Sequence, residues 1–474
     1  MHSLWRTRTA GGAPKLLLAA SVLLLVPLGC RKKTPAVQPS GPAAGSASAA
    51  PSSLASADAP APPALACREL ANGPAFTLGT PPARNPRPDD DEDEDDRNVE
   101  QPFAVELGSA RAEHGQFAVA GLESQRGQNH AFVALLSADA QSHSRVELGR
   151  VFGDVEPPAL VPHGNGWLAL VADSDAGGVV LRLFAVESPF DDKSVRRGGE
   201  VSGVRRDACD FSFESSGGEG LVAFTKLEKG HGSIALARFD LEKLTLKGGA
   251  VAAPNAGSGE AESPRLVKRP NGYFLAWIVR GAAGPPKAAL GRPSDYDAGL
   301  LDQGLVDEGP TAIEIVPLSA TGAATATPQR VTPAGAHVLA FDITATPDGG
   351  ALLVYRDDRE GPGLERAGAE AVLVRPDGST ASRSWDLGET AGLPSLLADA
   401  AGPPKKPWAW LHAPSELDSR VAPLAESALE FAELRSAPEL AGAELLAASS
   451  GRFLGVRTRG GQRALSVIEC NAAP

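Results

Sequence analysis

After its first thirty residues, the 474-residue chain has no charge-free apolar run of the roughly 20 residues needed to span a bilayer as a helix. Helical periodicity is nearly missing as well; only Glu426 to Leu434 has room for a turn or two. There is no basic excess. Lys and Arg total 45 against 58 Asp and Glu, a formal net charge of -13, which argues against a nucleic-acid binder. The four cysteines include no C-x-x-C pair and the eight histidines are scattered, so neither a zinc nor a redox site is expected. G-x-S-x-G, H-E-x-x-H and P-loop motifs are all missing, and no cofactor is expected.

What is present begins at the N-terminus. Arg6, Arg8 and Lys15 precede an apolar run from Leu16 to Val26, followed by Pro27, Leu28, Gly29 and Cys30. This is the layout of an export signal. The Gly29–Cys30 step resembles the lipobox of bacterial lipoproteins, although Pro27 stands where that family usually has Leu, with Leu28 one place late. The resemblance implies removal of residues 1 to 29 and acylation, palmitate included, at Cys30. An ordinary secretory signal with an unrelated cysteine is the competing reading. Loss of three positive charges with that segment would take the net charge from -13 to -16. Arg31 follows the cysteine, whereas the resemblance assigns an Asp there to inner-membrane retention. The expectation is therefore a chain held at the bacterial envelope by its lipid, at the outer membrane.

Thr34 to Ala66 is almost entirely Pro, Ala, Ser and Gly, without one aromatic or basic residue. Such a stretch buries too little apolar surface to offset its ordering entropy. Residues 30 to 66 therefore read as a linker, reaching at most about 100 Å at roughly 3.1 Å per residue. A second irregular segment, residues 80 to 100, centres on eight consecutive acids from Asp89 to Asp96. Mutual repulsion keeps such a run solvated, and it lacks the spaced ligands of a calcium-binding EF-hand.

With Cys30 acylated, Cys67, Cys209 and Cys470 remain, an odd number in an oxidising compartment. Cys67 and Cys470 stand at the two edges of residues 67 to 470, which makes them the natural disulfide. A pair through Cys209, or no bridge, stays open.

From residue 100 onwards the chain repeats. Seven segments share an outline of short apolar run, Gly-containing turn, second apolar run, turn and third run. The second runs are the clearest: His114–Ala120, Gly164–Val171, Gly220–Phe224, Asn271–Trp277, Asp348–Tyr355, Trp408–Leu411 and Ser450–Val456. In the last segment the first run is read as Pro438–Leu440. One interval is lengthened by an insertion around residues 281 to 311. Short strands recurring at this spacing are the signature of a β-propeller. The chain resembles the propeller class of exported bacterial proteins over residues 67 to 470, and the expected fold is all-β with seven blades. Cys67–Leu70 and Ala75–Leu78 would then supply the outer strand of the final blade and close the ring. Two packed β-sandwiches are the structural alternative.

Chemistry is harder to read. Asp173 to Gly177 opens like a calcium loop, but the twelfth position is Phe184 and a hairpin turn is the better reading. Arg356, Asp357, Asp358 and Arg359 end a central run, where a propeller presents loops, and form the candidate ligand-binding cluster. The expected function is an envelope-anchored scaffold or binding module for a protein or glycan ligand. The alternative is a polysaccharide hydrolase or lyase acting in the central channel. Charged side chains from several blades converging on one mouth would favour the enzyme.

Overall fold

The computed structural model describes residues 64–70, 76–78, 105–125, 128–153, 155–175, 178–206, 210–228, 231–254, 259–281, 310–333, 335–357, 368–386, 393–400, 407–415, 418–425, 433–459 and 462–471. The signal segment, Cys30, nearly all of the linker, the acidic run, Cys209, residues 282–309 and the candidate helical turn at 426–432 lie outside the described residues.

Two short strands come first, β1 (Ala66–Glu69) and β2 (Phe76–Leu78). Neither is paired with the other. Seven antiparallel sheets follow. The first is β3 (Val105–Glu113), β4 (Gln116–Gln125), β5 (Gln128–Ser137) and β6 (His143–Val151). The second is β7 (Ala159–His163), β8 (Gly166–Asp175), β9 (Gly178–Val186) and β10 (Val195–Val204). The third is β11 (Phe211–Ser216), β12 (Glu219–Glu228) and β13 (His231–Asp240), with β14 (Thr245–Leu246) and β15 (Val251–Ala252) sharing its outer edge.

The fourth sheet is β16 (Gly259–Arg269), β17 (Gly272–Gly281), β18 (Thr311–Leu318) and β19 (Gln329–Arg330). The fifth is β20 (Val338–Ala345), β21 (Ala351–Asp357), β22 (Gly368–Val374) and β23 (Thr380–Asp386). The sixth is β24 (Ser395–Ala398), β25 (Ala409–Ala413), β26 (Arg420–Leu424) and β27 (Arg435–Ser436). The last is β28 (Ala443–Ser449), β29 (Arg452–Arg459) and β30 (Gln462–Asn471). Its outer position is filled by β1 and β2, both paired with β30. This is a seven-bladed β-propeller closed by a strand from the start of the ring.

One expected strand is elsewhere. Pro438–Leu440 forms a 3-10 turn, and the inner strand of the last blade is Ala443–Ser449. Pro438 lacks the N–H that a strand ladder would use, so it initiates the turn instead.

Local chemistry explains the meander. All seven residues of β21 are buried, as suits a second strand covered by both neighbouring blades. At the turn before β17, Gly272 has φ +138°, and a Cβ there would lie 2.1 Å from the Leu318 carbonyl oxygen. No other residue fits that turn without moving the backbone. Large side chains fill the wedges between blades: Trp277, Tyr273, Phe224, Phe132 and Phe453 are all under 2% exposed.

Polar ties also cross from blade to blade. The Leu266 N–H donates to Ser212 Oγ (2.9 Å), the Leu396 N–H to Asp342 Oδ2 (2.8 Å) and the Ser450 N–H to Asp399 Oδ1 (2.8 Å). Arg452 Nη1 donates to the Ala138 carbonyl at 3.0 Å, tying the last blade to the first.

Ring closure carries the expected disulfide. Cys67 faces Cys470 in the β1–β30 register, and the two are bonded across a separation of 403 residues. The Arg68–Glu469 ion pair lies beside it at 2.6 Å. The Cys470 N–H donates to Gly451 in the turn between β28 and β29 (3.0 Å). The chain thus joins the ring at the end where the inner strands finish. By contrast, Gly281 pairs with Gly259 at the start of β16, at the opposite end.

Two expectations follow. In the chain-entropy view a bridge over so long a loop stabilises the fold by about 5 kcal/mol. Replacing Cys67 and Cys470 with Ser should lower the urea midpoint accordingly and expose β1–β2 to protease first. An unchanged midpoint would mean that strand pairing alone holds the ring shut.

The second concerns His412 on β25, which is 1% exposed and whose Nε2 has no hydrogen-bond partner among the described residues. Burial pushes its pKa from 6.5 down to about 3. Above pH 6.5 the imidazole is neutral in both folded and unfolded chains. Below 6.5 only the unfolded chain takes up the proton, so stability should fall by about 1.4 kcal/mol per pH unit until about pH 3. Unfolding curves at pH 7 and pH 5 should separate by that slope in the wild type and converge in His412→Leu.

Candidate functional site

Inner strands of a propeller alternate, one face packed in the blade and the other turned to the axis. The seven inner strands β3, β7, β11, β16, β20, β24 and β28 all contribute to one axial cavity of about 770 Å³. Its described walls are mostly small or apolar, interrupted by nine ionisable side chains. Arg111, Arg265 and Lys268 are the cations; Glu113, Glu156, Asp210, Glu214, Asp342 and Glu444 are the acids.

Register places these groups in two tiers with a pair between them. Glu444, opposite Val456, lies towards the end where inner strands begin, while Asp342, opposite Val354, and Arg265, opposite Ala276, lie near the middle of theirs. Asp210 stands just ahead of β11 and Glu156 just ahead of β7, at that same end. Arg111 lies opposite Ala118, Glu113 opposite Gln116, Glu214 opposite Leu221 and Lys268 opposite Tyr273, towards the other end.

Arg111 reaches from the first blade past the second to Glu214 in the third, with Nη2 donating to Oε1 at 3.1 Å. The Glu214 side chain is 15% exposed. Burial raises its pKa above the usual glutamate value, although the Arg111 and Lys268 charges pull the other way. Desolvation outweighs them, so Glu214 holds its proton more tightly than a free carboxyl. Tyr273 on the next blade has its pKa pushed up to about 12, first by burial and then by the Glu214 charge.

Asp342 is also shifted upwards by burial. Its oxygens are taken by backbone, with Oδ1 accepting from the Ile343 N–H and Oδ2 from the Leu396 N–H, both at 2.8 Å. It fastens the fifth blade to the sixth. Asp210 Oδ2 accepts from Ser263 Oγ at 3.0 Å.

The sequence candidates fall elsewhere. Arg356 and Asp357 end β21, one strand out from the channel, and both are buried. Asp357 Oδ1 accepts the His337 N–H at 2.9 Å. Neither is among the described residues lining the channel, and Asp358 and Arg359 lie outside the described residues. Asp173 pairs with Arg182 and accepts the Phe152 N–H (2.8 Å), so its loop is a hairpin tied by ions. Among the described residues no cluster of three metal-ligating side chains occurs.

The channel acids were within reach of pattern. A charged residue opens several otherwise apolar inner runs: Asp210, Arg265, Asp342 and Glu444. Charged residues recurring in otherwise apolar inner runs mark the axial face.

No family model matches the chain, and no curated protein matches it. Several solved structures are remotely similar. The α-L-arabinofuranosidase Arb93A of Fusarium graminearum is 12% identical, with 72% of this chain and 93% of that one covered and a TM-score of 0.41. The polysaccharide lyase Uly1 is 10% identical, with 86% and 100% covered and a TM-score of 0.47. The Penicillium chrysogenum α-L-arabinanase is 11% identical, with 86% and 98% covered and a TM-score of 0.42. Likeness at this level says nothing about activity.

Proposed function

We propose that this chain is an exported lipoprotein, acylated at Cys30 and tethered to the outer membrane by residues 30 to 66, whose propeller channel binds a glycan and hydrolyses it. The observation that carries the catalytic part is Glu214: a largely buried carboxyl with raised proton affinity, held by Arg111 on the wall of a cavity shared by all seven blades.

Glycoside hydrolysis needs one carboxyl that keeps a proton near neutral pH and another that is ionised. Protonated Glu214 gives its proton to the glycosidic oxygen as the carbon–oxygen bond breaks. Water gives one proton to an ionised carboxylate of the channel as its oxygen adds to the anomeric carbon; that carboxylate releases the proton to solvent, from which Glu214 regains one. Lyase chemistry fits less well. It removes a proton beside a uronate carboxylate, and a wall of three cations against six acids would repel that substrate.

A scaffold would use the outer surface. Among the described residues the large exposed apolar side chains are Phe152, Leu227, Val251 and Leu393, spread over three blades. Singly exposed residues of this kind are ordinary on soluble proteins. The convergence of charge in the channel, set beside that surface, favours the enzyme.

Glu214→Gln keeps the size of the side chain and removes its acidic proton. It should cut turnover of oligosaccharides by about 100-fold or more with binding retained. Full activity in the variant would remove Glu214 from the mechanism. The tether is tested separately: an alkyne fatty acid fed to the expressing bacterium should label the wild type and leave Cys30→Ala unlabelled. Equal labelling of both would place the lipid elsewhere.

A further inference from the structure

We propose that the channel takes a glycan bearing free amino groups, received at the acidic tier where the inner strands begin. This rests on the glycan reading above and names its substrate class.

Charge in the cavity is unevenly placed. Arg111 and Lys268 lie in the tier where strands finish, and both act on Glu214. Arg265, midway along β16, donates to its own chain at the Pro264 carbonyl (3.2 Å) and acts together with Arg111 on Asp342. The cations are thus directed at Glu214 and Asp342. Of the other four acids, Asp210 and Glu444, on the third and seventh blades, stand at the start of their inner strands, and neither has an ion pair among the described residues. Glu444 is exposed and Asp210 half-buried, so both are open to an incoming group.

Stacking offers no substitute for charge. The only aromatic side chains on the described wall are Phe211 and Phe341, at 8% and 7% exposure, too deeply packed to present a face to a sugar ring. Recognition therefore falls on hydrogen bonds and ion pairs. Carboxylates in a concave, low-dielectric wall focus a negative potential along the axis. A uronate-rich chain is repelled there, a neutral chain gains little, and a chain of ammonium-bearing sugars is drawn in.

The test is calorimetric titration of the mature protein carrying Glu214→Gln, which binds without turnover, with four probes: a glucosamine tetramer, its N-acetylated counterpart, a galacturonate tetramer and tetralysine. The glucosamine tetramer should bind most tightly, with the acetylated form at least about tenfold weaker and the galacturonate form undetectable. Asp210→Asn and Glu444→Gln should each weaken the glucosamine tetramer by about threefold to tenfold and leave the acetylated one unchanged. Added salt should erase that difference.

Equal affinity for free and acetylated amines, or preference for galacturonate, overturns the amino-sugar class and leaves the glycan channel standing. Tighter binding of tetralysine overturns the glycan ligand itself and makes the site one for basic peptide. Binding of none of the four overturns the channel reading altogether.

Discussion

The constraint on which everything else depends is closure of the ring. Seven blades arranged about an axis leave two exposed strand edges unless the first and last are joined, and an open edge invites pairing with another chain. Here the last blade has only three strands of its own, and β1 and β2, from the start of the ring, complete it. Three interactions meet at that seam: the β1–β30 ladder, the Cys67–Cys470 bond and the Arg68–Glu469 pair. Because the seam joins residues 403 apart, no blade can drift from the axis without straining it.

Closure also creates the site. Once seven inner strands are held around one axis, their axial side chains face a common cavity whatever their distance in sequence. Arg111 and Glu214 are 103 residues apart and belong to blades that are not neighbours, yet they meet across the channel. The same geometry desolvates Glu214 and Asp342, which is why both hold protons more tightly than free carboxyls. The channel thus supplies two unlike environments for carboxyl groups, buried at Glu214 and Asp342 and open at Asp210 and Glu444.

Much of the fold was legible before any coordinates. The repeat of second strands is visible because each is a short, continuous apolar run next to a glycine turn, and Asn271-Gly272 marks one such turn to the residue. The closing strand was legible because Cys67–Leu70 stood apart from the first repeat and near no other partner. Pro438–Leu440 misled because three residues cannot distinguish a strand from a 3-10 turn; the proline ring decided it. The channel acids were less legible for a physical reason. A ligand site built from one residue per blade leaves no local motif, whereas Arg356 to Arg359 offers four charges at the end of a central run, of which Arg356 and Asp357 lie one strand out from the channel. Only the ring brings Arg111, Glu214 and Asp342 to one wall.

The most direct test of this account is a structure of the mature protein with a glucosamine tetramer bound. The account predicts density along the axis, with a sugar amine beside Asp210 or Glu444 and a glycosidic oxygen within hydrogen-bond reach of Glu214. Density on the outer strands, with the channel filled only by solvent, would contradict it.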